Sequence, residues 1–291
     1  MTVPPTSSRP FTIFAACIVL TVGVVLPTSA AEAGMARTAA CTFVPVDDSG
    51  SSTRDPVATD RYRTPFAVPA TAIAFTSPDG FGGRQYILGP SNGTCIAHGG
   101  MDQDFNQQIT LPGQHTPAFE QVFGAGGDYQ LPYGCRYLPS IRQFAYPKSP
   151  PDCIAPPSTE HIELLNTGMP TLPAALVRVE PNVSDPQLTT TGTDPVLAVV
   201  LAFDLGGDGV DPTYRAVATS FADCRLNAAN TAICIASLQV FVDEAIAFQR
   251  DCVDLKVTDD PGAKIRNAIA QYKATPNRHR YARPRHAGAG R

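Results

Sequence analysis

The sequence contains no tryptophan, and only 16% of its residues are charged. So little charge beside a 43% apolar share excludes wholesale disorder, because chains that stay unfolded combine low hydrophobicity with high charge. Recognisable cofactor signatures are missing as well. Gly206-Gly207-x-Gly209 has neither the spacing nor the context of a phosphate loop. His115 and His161 stand in no metal-ligand spacing, and no internal repeat is visible. The alternation of strands and helices that marks a parallel α/β sheet is absent too. Turn formers, by contrast, are plentiful. With 28 prolines and 23 glycines, the connections must be many and irregular.

The N-terminal apolar run, Phe11 to Leu26, falls short of the ~20 residues a spanning helix needs. Arg9 precedes it, Pro27 breaks it, and small residues from Thr28 to Ala33 follow. This is the layout of a secretory signal peptide, read here as residues 1–33, with cleavage after Ala30, Ala31 or Ala33. The remaining chain is expected to be secreted or envelope-associated, with no integral membrane span after cleavage. Outside the cytoplasm cysteines pair. Loss of Cys17 leaves Cys41, Cys95, Cys135, Cys153, Cys224, Cys234 and Cys252 as disulfide candidates. An odd count leaves one free or paired between molecules, and most connectivities stay open.

Residues 34–66, rich in Ser, Thr, Pro and Asp, read as an irregular lead-in. Residues 67–272 read as a single disulfide-containing α+β domain. Short apolar stretches at Thr71–Thr76, Arg84–Leu88, Thr94–Ala97 and Asn106–Leu111, separated by turns, predict an antiparallel meander. The region from Pro112 to Pro157 reads as loop-rich, with at most a helical turn or two from Ser140 to Phe144. A Cys135–Cys153 staple is plausible across it. Val196 to Phe203 is nearly all apolar and predicts a strand buried on both faces, with Tyr214–Phe221 returning beside it.

The clearest helix spans Ala228 to Asp254. Cys234, Leu238, Phe241, Ala245, Phe248 and Cys252 recur at spacings of 4, 3, 4, 3 and 4, one stripe facing a core. A straight helix holds Cys234 and Cys252 ~27 Å apart, far beyond the ~7 Å a disulfide tolerates. Cys224, just before the helix, can reach Cys234. A second helix, Ala263 to Tyr272, follows. The predicted fold is therefore α+β: an antiparallel β-meander sheet of roughly seven or eight strands packed by a long C-terminal amphipathic helix and stapled by disulfides.

Three motifs compete for chemistry. The stretch "ILGPSNGTCIAHGG", Ile87 to Gly100, holds Gly89-x-Ser91-x-Gly93, the spacing of a hydrolase nucleophile elbow. An elbow joins a strand to a helix, and here a strand follows instead, so Ser91 reads as a turn residue. Cys95 and His98 point to opposite faces if they share a strand, which argues against a catalytic or metal pair. Asp204, Asp208 and Asp211 beside Gly209 form a candidate calcium loop, although an EF-hand starting at Asp204 fails at its third and twelfth positions, Gly206 and Arg215. Otherwise no cofactor is called for, and no catalytic residue is assigned.

Charge is divided unevenly. Residues 273–291, read as a basic disordered tail, carry Lys273, Arg278, Arg280, Arg283, Arg285 and Arg291 and no acid. The tail could touch an anionic envelope polymer or fold back on its own body. An acidic body in an exported chain argues against nucleic acid.

Three stretches together resemble a group of uncharacterised exported actinobacterial proteins. They are Tyr86-Ile87-Leu88-Gly89-Pro90 with Cys95-Ile96-Ala97; Gly134-Cys135-Arg136-Tyr137 with Cys153-Ile154-Ala155-Pro156-Pro157 and Glu160; and Cys224-Arg225-Leu226 with Cys234, Leu238 and Phe241. Such proteins usually carry tryptophan where Thr94 stands. The resemblance implies secretion and disulfides and brings no catalytic residue. The expected function is a non-enzymatic cell-envelope or extracellular binding or structural protein. The alternative is an extracellular hydrolase in which His98, His115 or His161 meets an acid.

Overall fold

A computed structural model of the chain describes residues 34–45, 53–54, 61–78, 83–99, 105–124, 131–141, 153, 160–182, 188, 192–206, 216–252 and 260–274. Residues 1–33, read as a signal peptide, and residues 275–291 of the basic tail lie outside them. The strands are β1 (Gly34–Ala40), β2 (Thr42–Pro45), β3 (Thr53–Arg54), β4 (Tyr62–Thr64), β5 (Ala72–Pro78), β6 (Arg84–Pro90), β7 (Thr94–Gly99), β8 (Phe105–Thr110), β9 (Phe119–Phe123), β10 (Glu160–Leu165), β11 (Ala174–Val179), β12 (Val196–Gly206) and β13 (Ala216–Arg225). The helices are α1 (Leu131–Tyr137), α2 (Thr231–Cys252) and α3 (Pro261–Ala274).

Two sheets form, of mostly antiparallel strands: a small one in the order β4-β1-β5-β6 and a large one in the order β10-β11-β12-β13-β9-β8-β7-β2-β3. The mixed α+β class is as expected, but the single meander is not what forms. β5 pairs with β6, and β7, β8 and β9 pair in succession, yet β6 and β7 belong to different sheets. The turn at Ser91 and Asn92 carries the chain across. Glycine flanks this corner for a steric reason. A Cβ on Gly89 would come within 2.4 Å of Ile109 Cδ1, and one on Gly93 within 2.6 Å of its Cγ2.

The lead-in reading is also corrected. Residues 34–66 contribute four strands, and the first two straddle both sheets: β1 runs parallel to β5, and after Cys41, β2 runs parallel to β7. Small alanines and threonines give this segment little periodicity, so its pairing to the rest of the sheets comes from partners 36 and 54 residues away, Ile73 for Arg37 and Ile96 for Thr42. In the middle region, β9 and α1 (Leu131–Tyr137) stand where loops were expected. Of the turns expected from Ser140 to Phe144, Ile141 is helical and residues 142–144 lie outside the described residues.

β12 is buried on both faces, as its composition demands. Leu197, Val199, Leu201 and Phe203 enter one core; Val196, Ala198, Val200 and Ala202 enter the other. The helix α2 packs on β9, β12 and β13 of the large sheet and on β6 of the small one. Its Cys234–Leu238–Phe241–Ala245–Phe248 stripe joins the main core, with Phe241 and Phe248 against Phe123 at ring separations of 5.5 and 5.6 Å. Ala236 and Val240, on another side, pack with Ala74, Leu88 and Phe66. Every residue from Ile233 to Val242 is buried. This is a core helix rather than an amphipathic one. The stretch Thr231–Gln249 is long and apolar enough to cross a bilayer by composition, and 72% of its most apolar window lies buried inside the protein.

Glutamines tie the two sheets together. Gln107 Nε2 on β8 donates to Ser77 Oγ at 2.8 Å and to the Gln85 carbonyl at 3.3 Å. Gln121 Nε2 on β9 donates to the Tyr86 carbonyl at 3.0 Å and to Gln107 Oε1. The outer edge of β6 would otherwise bury bare carbonyls, and each such unmet group costs ~1–3 kcal/mol.

Candidate functional site

Three cysteine pairs lie at bonding distance. Cys41–Cys95, Cys135–Cys153 and Cys224–Cys234 have Cα separations of 4.6, 5.4 and 5.6 Å. Cys252 belongs to none of these pairs, and its side chain lies outside the described residues. The bond at Cys95 removes that thiolate as a nucleophile. His98 stands exposed on β7 while Cys95 is buried, so the two do point to opposite faces. Ser91 is exposed in its turn, and β7 rather than a helix follows. Asp204 is buried near the end of β12, whereas Asp208 and Asp211 lie outside the described residues. Among the described residues no group of three or more His, Cys, Asp or Glu side chains is placed to hold a metal.

A concave feature among the described residues lies elsewhere. The segment Pro65–Pro69 lies across α2 and α3 and encloses with them a groove of about 570 Å³, within the usual range for ligand sites. Phe66, Val68, Ile235 and Ala236 form apolar walls; Gln239, Arg266 and Asn267 supply the polar lining. Arg266 is neutralised in place. Its Nη2 donates to Asp260 Oδ2 at 3.0 Å, and its Nη1 donates to Asp243. Gln239 is only 8% exposed, and its Nε2 donates to the Arg266 carbonyl at 3.2 Å. Its carboxamide oxygen accepts no hydrogen bond among the described residues.

Next to the groove, the Tyr62 hydroxyl donates to Glu244 Oε1 at 2.7 Å, and its ring stacks on Tyr86 at 4.3 Å. Burial first, then the Glu244 and Asp243 carboxylates and Tyr86, push its pKa well above the usual phenol value. Tyr62 is therefore a neutral donor throughout the working pH range.

Asp260 caps α3, accepting the Ala263 amide at 3.0 Å. Burial acts to raise its pKa, but the Ala263 amide and the Arg266 guanidinium outweigh that and hold it below the usual carboxylate value. A depressed carboxylate stabilises the fold above its unfolded pKa, and that contribution disappears as pH falls through the folded value. Asp260→Ala is expected to cost about 1 kcal/mol at neutral pH, as lost caps do. Urea denaturation should show the gap to the wild type closing as the pH drops below about 4. A gap that stays constant with pH would show that the carboxylate charge plays no part.

A second polar feature was invisible to pattern reading. Glu120 on β9 and Asp223 on β13 are direct cross-strand partners, and both are buried. Glu120 accepts from Asn106 Nδ2 at 3.0 Å and from Gln108 Nε2 at 2.6 Å. Their register depends on strands about 100 residues apart, and neither acid was legible on a strand: Glu120 stands in the region read as loop-rich, and Asp223 lies past the expected strand Tyr214–Phe221. Neither acid lines the groove. Of the candidate hydrolase histidines, His98 and His115 are exposed, and His161 Nε2 lies 3.6 Å from Glu180 Oε1 on the edge strand β10. Comparison with known proteins assigns no relatives: no family model, curated protein or solved structure matches the chain.

Proposed function

We propose that this chain is an exported, non-enzymatic binding protein of the cell envelope or extracellular space, with the groove between Pro65–Pro69 and the two C-terminal helices as its binding site. The observation that carries the reading is the set of three cysteine pairs, compatible with folding in an oxidising compartment. The groove supports the binding role because apolar walls with a few fixed polar groups suit recognition. The resemblance of the cysteine-bearing stretches to exported actinobacterial proteins points the same way. The basic tail supplies a contact for an anionic envelope polymer.

Two measurements test this. Recovered from culture fluid without reductant, the mature chain should show no more than one titratable thiol, against seven after unfolding and reduction. The full chain should also be retained on isolated cell walls at low salt and released at high salt. Seven thiols in the native material would remove export from the reading, and absence from the wall fraction would remove the polymer contact. The hydrolase alternative rests on His161 beside Glu180, and any hydrolysis of wall polymer that survives His161→Ala would dismiss that pair.

A further inference from the structure

The stretch from Ile87 to Gly100 holds one more reactive group, and it is neither the serine nor the cysteine. Asn92 is the only asparagine of the sequence followed by glycine. It stands exposed at the corner where the chain passes from β6 of the small sheet to β7 of the large one. Asparagine is a chemically labile side chain. A following glycine leaves the next backbone nitrogen open to attack on that side chain, because no Cβ shields it. The fold preserves this dipeptide. A Cβ at position 93 would come within 2.6 Å of Ile109 Cγ2 and 3.2 Å of the Pro90 carbonyl oxygen, so no larger residue fits.

The same corner restrains the reaction. The Gly93 amide donates to the Pro90 carbonyl at 2.9 Å and closes the turn. That nitrogen cannot attack while its N–H is held. The turn is fixed from two sides. Ile109, fully buried, lies against Gly89 and Gly93, and Cys95 is bonded to Cys41.

We propose that Asn92 and Gly93 form a site of hydrolytic self-modification gated by opening of this turn. On opening, the Gly93 nitrogen gives its proton to solvent and attacks Asn92 Cγ. The Cγ–Nδ2 bond breaks, ammonia leaves, and a five-membered imide forms. Water then cleaves one of the two ring bonds to the Gly93 nitrogen. Cleavage at Cγ leaves aspartate; cleavage at the Asn92 carbonyl carbon leaves a β-linked aspartate. One water is consumed and one ammonia released, with no oxidant or cofactor. Either product places a carboxylate at the corner, and the β-linked form adds a carbon to the backbone just ahead of the Cys95 bond.

Hydrogen exchange of the Gly93 amide and deamidation of Asn92 require the same broken hydrogen bond, so one opening equilibrium governs both. The full-length chain, aged in mildly alkaline buffer both natively and in urea, tests this. Mass spectrometry of the peptide holding residue 92 reads the acid and β-linked forms, and NMR of the native chain reads Gly93 exchange. Native conversion should be slower than conversion in urea by at least about tenfold, and the ratio should match the Gly93 protection factor within about threefold. Cys41→Ser with Cys95→Ser should raise conversion and exchange by the same factor. Should that variant fail to fold, Ile109→Val, which keeps the bond and removes only the methyl over Gly89, is expected to raise both. Equal conversion in the native and unfolded chains overturns the gating, as does a native ratio that departs from the Gly93 protection factor. An unfolded chain in which Asn92 stays intact overturns the site itself.

Discussion

Val240→Asp will destabilise the protein by about 4 kcal/mol or prevent it from folding, because it puts an unpaired carboxylate into a dry core. Val240 is 0% exposed and packs with Ala74 and Leu88 of the small sheet. It lies outside the stripe of Cys234, Leu238, Phe241, Ala245 and Phe248, so a helix with a single buried face would present it to water. In that case an aspartate would change stability by less than about 0.5 kcal/mol, as surface substitutions do. Ala247→Asp supplies the control. Ala247 is exposed on the same helix, and its replacement is expected to be nearly neutral. Urea denaturation of the two variants decides the matter, and equal midpoints would mean that α2 has a solvent face at Val240.

Removing the Cys41–Cys95 bond is expected to cost about 4 kcal/mol, the chain-entropy value for a loop of 54 residues. The corresponding value for Cys224–Cys234, with a separation of 10, is about 3 kcal/mol. Position reinforces the ranking. Cys41 sits where the first segment leaves the small sheet for the large one, its amide donating to the Thr76 carbonyl at 2.9 Å. Cys95 opens β7, just past the corner where the chain makes the same crossing. The bond therefore pins both crossings. Cys41→Ser with Cys95→Ser, compared with Cys224→Ser with Cys234→Ser by urea denaturation without reductant, should show the first double variant less stable. The opposite order would mean that the crossings hold without the bond and that the short C-terminal loop is the greater constraint.

The parts of this fold that were legible are those whose causes are local. The all-apolar run from Val196 to Phe203 could only be a strand covered on both sides. The regular return of Leu238, Phe241, Ala245 and Phe248 specified a helix, and the same rise per residue ruled out a Cys234–Cys252 bond. What misled was the assumption that a periodic stripe is the only buried face. Ala232, Ala236 and Val240 look unremarkable in sequence because small and β-branched residues satisfy a second packing surface as readily as they tolerate solvent. The groove was hidden for a related reason. Its lining comes from Pro65–Pro69, read as the end of an irregular lead-in, and from alanines on two helices, none of which carries a chemical signature.

Sequence alone determined the secondary elements of the C-terminal half, the exclusion of a Cys234–Cys252 bond and the charge contrast between body and tail. Each follows from side-chain periodicity, rise per residue or simple composition. The tertiary structure decided which sheet each strand joined, that Cys41 meets Cys95, that Glu120 faces Asp223 and that α2 is enclosed. These depend on burial shared between segments tens to more than a hundred residues apart, and the free energy of such contacts appears only once the partner surface exists.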